Sequence, residues 1–337
     1  MSSDNVIKVM LSARTDSTYT NYHRYWALFV RFCAERDLDP ESAGIDPILT
    51  CVDDNREAKD WSYSTVKVCV SGISFFRGRL ENDTVFRNEH MTEYLAGVKK
   101  LSAKTVVRAE TWDASLVLRS LEEPPFEPMA TADMEYVSAK LAVLLALTTA
   151  SRGCELTALT IKGLVFSGDL KVTLFPDPSF VPKTVSVLSR RAPVVLHAFH
   201  PAPVSRIDKR RHLSCPVRAM RFYLQRTRSV RKSDSLLLTH GGRNPGTALT
   251  TQRLAHWLVD GITKAYTLQG QTAPKLRAHS TRGTATSIAV LAGIDWEVIR
   301  QAAVWQGDQT FLKHYYRYTK VRSVADAVLE QAHDVDA

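Results

Sequence analysis

The sequence predicts a mainly α-helical protein of two domains with one small antiparallel β-sheet. The chain has 337 residues, of which 45% are hydrophobic, so it can bury more than one core. Over most of its length, apolar residues recur three and four positions apart, which is the spacing of a buried helical face. Only between residues 163 and 199 does the pattern change to alternating β-branched residues, which is typical of strands.

The first hundred residues predict three helices, which we assign to a domain spanning residues 1–102. The helices lie within residues 16–40, 62–80 and 88–104, and Pro40 ends the first of them. Three residues are candidates for the N-cap of the first helix: Asp16, Ser17 and Thr18. Its buried face is predicted from five residues at helical spacing: Tyr22, Trp26, Phe29, Val30 and Cys33.

Residues 103–112 are predicted to link this domain to a second one at residues 113–322. The stretch LSAKTVVRAE has three charges and no apolar stripe, which is typical of a linker. Beyond it, residues 111–123 predict a helix. Residues 131–159 predict a strongly apolar helix, a turn and a second short helix. Helices resume at residue 215 and continue towards the C-terminus.

The small sheet is predicted from two segments, residues 163–177 and 183–199. Both alternate apolar and polar residues and are rich in β-branched side chains. Their turns are predicted at two tripeptides: Ser167-Gly168-Asp169 and Pro176-Asp177-Pro178.

Charge and cysteine content indicate the class of partner and the compartment. Lysine and arginine outnumber aspartate and glutamate by 44 to 35, and the sequence pI is about 9.3. Such a surplus favours a polyanionic partner, nucleic acid first. The five cysteines are scattered and include no CxxC pair, which argues against a disulfide framework or a zinc knuckle. We see no secretory signal and no apolar run of roughly 18 residues, so we expect a soluble intracellular protein without membrane association.

Eight residues have side chains suited to chemistry at a phosphate group, although each also has an ordinary structural interpretation. An arginine at a helix end can cap the helix dipole, and a lysine is usually a surface residue. Lone histidines, tryptophans and paired tyrosines usually serve packing. In chain order the candidates are Arg152, Glu155, Lys183, His279, Arg282, Trp305, Tyr315 and Tyr316. His279 and Arg282 are three residues apart in a run that is predicted to be helical, so they should share one face.

Taken together, the order Arg…Lys…His-x-x-Arg…Trp…Tyr resembles the catalytic series of the tyrosine recombinases, the phage-integrase-like family. The resemblance covers essentially the whole chain. It is most specific in AHSTRGTATSIAVLAGIDWEVIRQAAVWQGDQTFLKHYYR, residues 278–317, which is similar to the recombinases of DIRS-type retrotransposons. In that group HSTR, AA-x-W and TF…Y recur together, and PSFVPK at residues 178–183 resembles its lysine hairpin.

The resemblance implies a C-shaped clamp, in which a helical core-binding (SAM-like) domain closes on DNA opposite the catalytic domain. It implies DNA strand cleavage and rejoining through a 3′-phosphotyrosine link, without a metal, ATP or another cofactor. Lys183 would protonate the leaving 5′-oxygen, and Glu155 would orient Arg152. The spacing W-x4-TF-x3-Y selects Tyr315 as the nucleophile. Many relatives have their tyrosine one residue closer, where this chain has His314, so Tyr316 is the alternative.

The chemistry of the side chains agrees with these roles. Two arginines, Arg152 and Arg282, can each donate bidentately to non-bridging phosphate oxygens. His279 can donate to the same phosphate or take the proton of the tyrosine. Trp305 has an indole N–H, which donates but cannot transfer protons. The small residues directly after Arg282 would let DNA or a neighbouring helix approach closely: Gly283, Thr284, Ala285 and Thr286.

Two other functions are compatible with these residues, a type IB topoisomerase-like enzyme that relaxes DNA and a catalytically silent DNA-binding regulator. For the recombinase we expect double-stranded DNA as partner, mainly monomers in solution and a homotetramer on paired DNA sites. Residues 323–337 predict a C-terminal helix that packs in trans, with packing in cis as the alternative. Its narrow apolar stripe consists of Val324, Ala325, Val328, Leu329 and Ala332. We expect the nucleus in a eukaryotic host and otherwise the cytoplasm or nucleoid.

Overall fold

The computed structural model describes residues 14–80, 83–102, 112–182, 193–199 and 204–303. Contacts between Cα atoms divide the chain into two compact units, residues 1–107 and residues 108–337. Within the described residues the structure is mainly helical and has a three-stranded antiparallel sheet in the second unit. The predicted fold class is therefore confirmed.

The described part of the first unit is a helical bundle with a short β-hairpin, whose strands have two residues each. Helices α1 and α3 pack against each other, and α2 contacts α1, α3 and α4. Strands β1 and β2 pair antiparallel between α3 and α4. The elements are α1 (Asp16–Ala34), α2 (Ile45–Ala58), α3 (Tyr63–Arg77), β1 (Arg79–Leu80), β2 (Asp83–Thr84) and α4 (Glu89–Leu101).

The first helix differs in detail from its prediction. Its N-cap is Thr15, whose hydroxyl accepts a hydrogen bond from the backbone N–H of Thr18. The helix ends at Ala34, before Pro40. Phe29 and Cys33 are buried as expected, whereas three other predicted core residues are half-buried: Tyr22, Trp26 and Val30. Tyr25 and Phe32 are buried instead. The prediction missed them because aromatic residues occur on several faces of this helix, so their spacing does not identify the buried face.

The described part of the second unit is arranged around α6, which contacts α7, α9, α10, α11 and β5. This helix is buried on every side, which is expected of one that is apolar all round. The helices are α5 (Ala114–Ser120), α6 (Met134–Thr149), α7 (Gly153–Thr157), α8 (Arg206–Leu213), α9 (Pro216–Thr227), α10 (Thr251–Leu268), α11 (Ser280–Leu291) and α12 (Trp296–Ala302).

A buried ion-pair cluster fixes α6 to its surroundings. The Lys140 ammonium, fully buried, donates to Glu127 at 2.5 Å, and Arg218 donates to both oxygens of the same carboxylate at 2.6 and 3.1 Å. Burial lowers the pKa of Lys140 to about 8, against the opposing effect of Glu127. Although burial acts to raise it, hydrogen bonds from Arg218 and Lys140 hold the pKa of Glu127 below its ordinary value. Each charge of this cluster is paired, and loss of one partner would leave an uncompensated buried charge.

The sheet has the order β3–β4–β5 and is antiparallel throughout. A tight turn with Gly168 at φ 55° joins β3 to β4, as predicted. One face of the sheet packs on the core through Val172, Leu174 and Leu196. Residues 183–192, which belong to the second predicted strand segment, lie outside the described residues, and the part that is described begins its strand at Val194. The strands are β3 (Leu159–Ser167), β4 (Lys171–Pro176) and β5 (Val194–His197).

Two further expectations concern membranes and cysteines. None of the described helices is both long and apolar enough to cross a membrane. All five cysteines are free thiols, and Cys154 alone among them is not buried.

Candidate active site

Arg152 follows the end of α6 directly. Ala150 ends that helix in the left-handed region, at φ 49° and ψ 24°, a conformation that costs a non-glycine residue roughly 1–2 kcal/mol. Arg152 is then the N-cap of α7, with extended backbone angles. The sharp turn between two helices, which the sequence predicted, therefore determines where this guanidinium lies.

Glu155, which lies in the first turn of α7, accepts two hydrogen bonds from Arg152. Its Oε1 accepts a hydrogen bond from Arg152 Nη1 at 2.7 Å, and its Oε2 accepts one from the backbone N–H of Arg152 at 2.6 Å. Both side chains are 17% exposed. A partly buried, charge-assisted pair of this length orients the guanidinium rigidly.

Arg282 comes from α11, far away in the chain, and meets the same carboxylate. Its side chain is only 1% exposed, and its Nη1 lies 3.6 Å from Glu155 Oε2. Its Nη2 donates to the backbone carbonyl of Ala303, just beyond α12. Glu155 therefore joins the two predicted arginines, Arg152 and Arg282, in one cluster.

His279 is the N-cap residue of α11, one turn before Arg282, and is exposed. Both side chains line one cavity of about 180 Å³, as do Ser151 and Gly153 on either side of Arg152. The prediction that His279 and Arg282 share one face is confirmed by their position in this wall.

The small residues after Arg282 are mostly buried. Gly283, Thr284 and Thr286 are buried, and α11, the helix that contains them, contacts α6.

Two features of this site were not predicted. Thr251, the first residue of α10, also lines this cavity. Its hydroxyl is 3.1 Å from that of Thr157, and a Cβ at Gly153 would approach its methyl group to 3.2 Å. The second feature is Trp112, whose indole N–H donates to Ser280, the residue next to His279. Neither residue belongs to a spacing motif, so no sequence signal identified them.

Four predicted site residues lie outside the described residues: Lys183, Trp305, Tyr315 and Tyr316. The predicted C-terminal helix at residues 323–337 does so too, as do residues 103–111 of the predicted linker. Trp112, at the end of that linker, is buried in the core of the second unit. In the part of the chain that is described, no group of three or more histidine, cysteine, aspartate or glutamate side chains could hold a metal ion.

The chain was compared with known proteins and solved structures. No family model matches it, and neither does any curated protein. A lambda integrase dimer bound to a COC′ core site has a similar structure, with a TM-score of 0.53 and 14% identity over 95% of this chain and 96% of that one. The fold is that of the tyrosine recombinases.

Two further structures share this tyrosine-recombinase fold at 14% identity. One is the Tn1549 transposon integrase in complex with transposon right end DNA, with a TM-score of 0.53 over 96% of this chain and 95% of that one. The other is a lambda integrase tetramer bound to a Holliday junction, with a TM-score of 0.52 over 95% of this chain and 79% of that one. The likeness extends over nearly the whole chain.

Proposed function

We propose that the chain is a site-specific DNA recombinase or integrase that cleaves and rejoins DNA strands through a 3′-phosphotyrosyl intermediate. The observation that supports this most strongly is the cluster in which Glu155 joins Arg152 and Arg282 beside the cavity that His279 lines. Two permanently charged, planar donors next to one histidine suit a phosphodiester undergoing substitution.

In the proposed reaction the Tyr315 hydroxyl attacks the phosphorus. A bond forms between the tyrosine oxygen and phosphorus, and the bond from phosphorus to the 5′-oxygen breaks. His279 or water takes the tyrosine proton, and Lys183 gives a proton to the 5′-oxygen as it leaves. The reverse step, with the 5′-hydroxyl of another strand, rejoins the DNA and releases the tyrosine. An unperturbed tyrosine has a pKa near 10, so nearby cations are needed to activate it.

A phosphate would contact the buried Arg282 through the cavity. Because its guanidinium is almost wholly enclosed, a phosphate oxygen would have to enter this cavity to contact it. Arg152, more exposed, would contact a second non-bridging oxygen from the N-terminus of α7. In the transition state negative charge increases on these oxygens, where fixed donors lower the barrier most.

The contact of Arg282 with Ala303 supports a role for Trp305. In the sequence Trp305 comes two residues after Ala303, whose carbonyl accepts from Arg282. Its indole N–H could then donate to the same phosphate. Metal ions and ATP are not required in this scheme, because the phosphotyrosine ester conserves the energy of the broken phosphodiester.

The proposed partner is double-stranded DNA. The net charge of +9 favours a polyanion, and both integrases named above were solved on DNA. We further propose that the core-binding and catalytic domains form a clamp around it, that the protein assembles as a tetramer on paired sites, and that residues 323–337 pack in trans there. The segment at residues 278–317 favours a mobile element of the DIRS type as the origin of the chain.

A plasmid assay tests the proposal. Protein is incubated with a supercoiled plasmid library in excess EDTA, the reaction is stopped with detergent, and DNA bound covalently to the protein is sequenced. We expect one recurring sequence at the protein–DNA junction, and joining between two plasmids that contain it. Relaxation of every plasmid without joining would identify a topoisomerase-like enzyme instead. A strict need for Mg²⁺ in the cleavage step would contradict the mechanism.

A further inference from the structure

Trp112 is the first described residue after residues 103–111, and its indole reaches the helix that bears the candidate histidine. Trp112 is 3% exposed, and its indole N–H donates to the hydroxyl of Ser280 at 3.0 Å. These two residues are 168 positions apart in the chain. Tryptophan has one donor, and in a buried position it must be satisfied.

Ser280 also forms hydrogen bonds within the turn that contains His279. Its hydroxyl donates to the carbonyl of Arg277 at 2.6 Å, and its backbone N–H donates to the same carbonyl at 2.8 Å. The hydroxyl thus accepts from Trp112 and donates to Arg277, which uses both its hydrogen-bonding functions. His279 lies within this turn, between the two residues that are bonded.

Asp113, the next residue along the chain, is also held by hydrogen bonds. The backbone N–H of Asp113 donates to the hydroxyl of Tyr266 at 2.6 Å, near the end of α10. The Asp113 carboxylate caps α5 by accepting from the backbone N–H groups of Ser115 and Leu116 at 2.8 and 3.1 Å. The backbone next to Trp112 is therefore held by a helix cap and by a part-buried hydrogen bond.

We propose that Trp112 is a positioning residue for His279, acting through the hydroxyl of Ser280. This inference rests on the proposed role of His279 at the scissile phosphate. His279 is exposed and lines the cavity together with Ala278 of the same turn, so the turn from Arg277 to Ser280 determines where the imidazole points. A small displacement of a group that acts on a phosphate costs rate rather than affinity, because reaction needs a near-attack geometry.

Trp112→Phe and Ser280→Ala remove the two ends of the hydrogen bond and keep most of the packing. We expect each to slow cleavage about tenfold to a hundredfold and to leave the Kd for the DNA within about twofold. We expect the double variant to be no slower than the slower single variant, because both changes remove one interaction. Ser280→Thr, which keeps the hydroxyl, should recover most of the rate.

The position of the imidazole can be measured without any reaction. NMR spectra of full-length protein with isotope-labelled histidine are recorded at fixed pH. The His279 resonance is the one that disappears in His279→Gln, and Trp112→Phe should shift it. Leu116→Ala is the matched control, since it removes a buried side chain from α5 and leaves the Trp112–Ser280 bond intact. It should lower the Tm and leave the His279 resonance and the cleavage rate of the folded protein unchanged.

Two results would overturn the proposal: an unshifted His279 resonance in Trp112→Phe, or rate losses of the two single variants that multiply in the double variant. If the wild-type protein cleaves no DNA, the proposed function fails. The resonance still reports whether Trp112 positions His279, so the two failures can be told apart.

Discussion

The buried guanidinium of Arg282 lies 3.6 Å from the carboxylate of Glu155, measured from Nη1 to Oε2. This places a negative charge beside an arginine that is almost completely removed from water. Removing one partner of a buried pair leaves the other charge uncompensated. Glu155→Gln should therefore lower the free energy of unfolding by about 3 kcal/mol, measured by urea denaturation.

Glu297→Gln is a matched control for that variant. Glu297 pairs with Arg300 at 2.5 Å, yet its own side chain is 51% exposed, so its loss should cost less than about 1 kcal/mol. Equal losses in the two variants would show that Glu155 does not compensate a buried charge.

Arg152→Ala and Arg282→Ala should each slow cleavage by about 10²–10³, the scale of a lost donor to a developing oxyanion. Arg282→Lys should be slow as well, because a lysine keeps the charge but cannot donate bidentately. Single-turnover rates at saturating protein measure this. Rates near that of the wild-type protein for Arg282→Lys would exclude bidentate recognition.

Lys183→Ala should lose cleavage of ordinary DNA and regain it on a substrate with sulfur at the 5′-bridging position. A thiolate leaves without a proton, so the general acid is no longer needed. The comparison uses the two substrates side by side with the variant and the wild-type protein. Failure of the sulfur substrate to restore cleavage would remove Lys183 from the role of general acid.

Deleting residues 323–337 should leave binding to a single DNA site intact and abolish joining of paired sites. The apolar stripe there is narrow and could bury only a few side chains, at ~1.5–3 kcal/mol for each large one, so it should act only where DNA already brings copies together. Gel shifts and recombination at equal protein concentration separate the two effects. Normal recombination by the truncated protein would show that the segment packs in cis or contributes nothing.

Apolar spacing predicted most of the described helices and the hairpin from β3 to β4, but it failed where the apolar signal is weak. Helix α2 was missed because its second half, residues 53–57, is wholly polar, so its buried residues are confined to Ile48, Cys51 and Val52. Helix α8 was missed because none of its residues is buried. Such helices are determined by tertiary context and by caps rather than by an apolar stripe.

The presence of His279 and Arg282 in one cavity wall was predictable because helical spacing places them on one face. The meeting of Arg282 with Glu155 was not, since no local pattern shows which turns of a chain approach each other. The hydrogen bond from Trp112 to Ser280 likewise joins two residues that are 168 positions apart in the chain, so no local pattern predicts it. The sequence does not predict that Arg282 is buried, because arginines are rarely enclosed unless they are paired and the partner, Glu155, is distant in the chain.

The identity of the nucleophile tests the central claim most directly. Wild-type protein and the variants Tyr315→Phe and Tyr316→Phe are incubated with a nicked substrate of the sequence found in trapped DNA, then separated on denaturing gels. We predict covalent protein–DNA bands for the wild-type protein and Tyr316→Phe, and none for Tyr315→Phe, whose DNA affinity should be nearly unchanged because one hydroxyl adds little to many phosphate contacts. A covalent band from Tyr315→Phe, and none from Tyr316→Phe, would contradict the assignment.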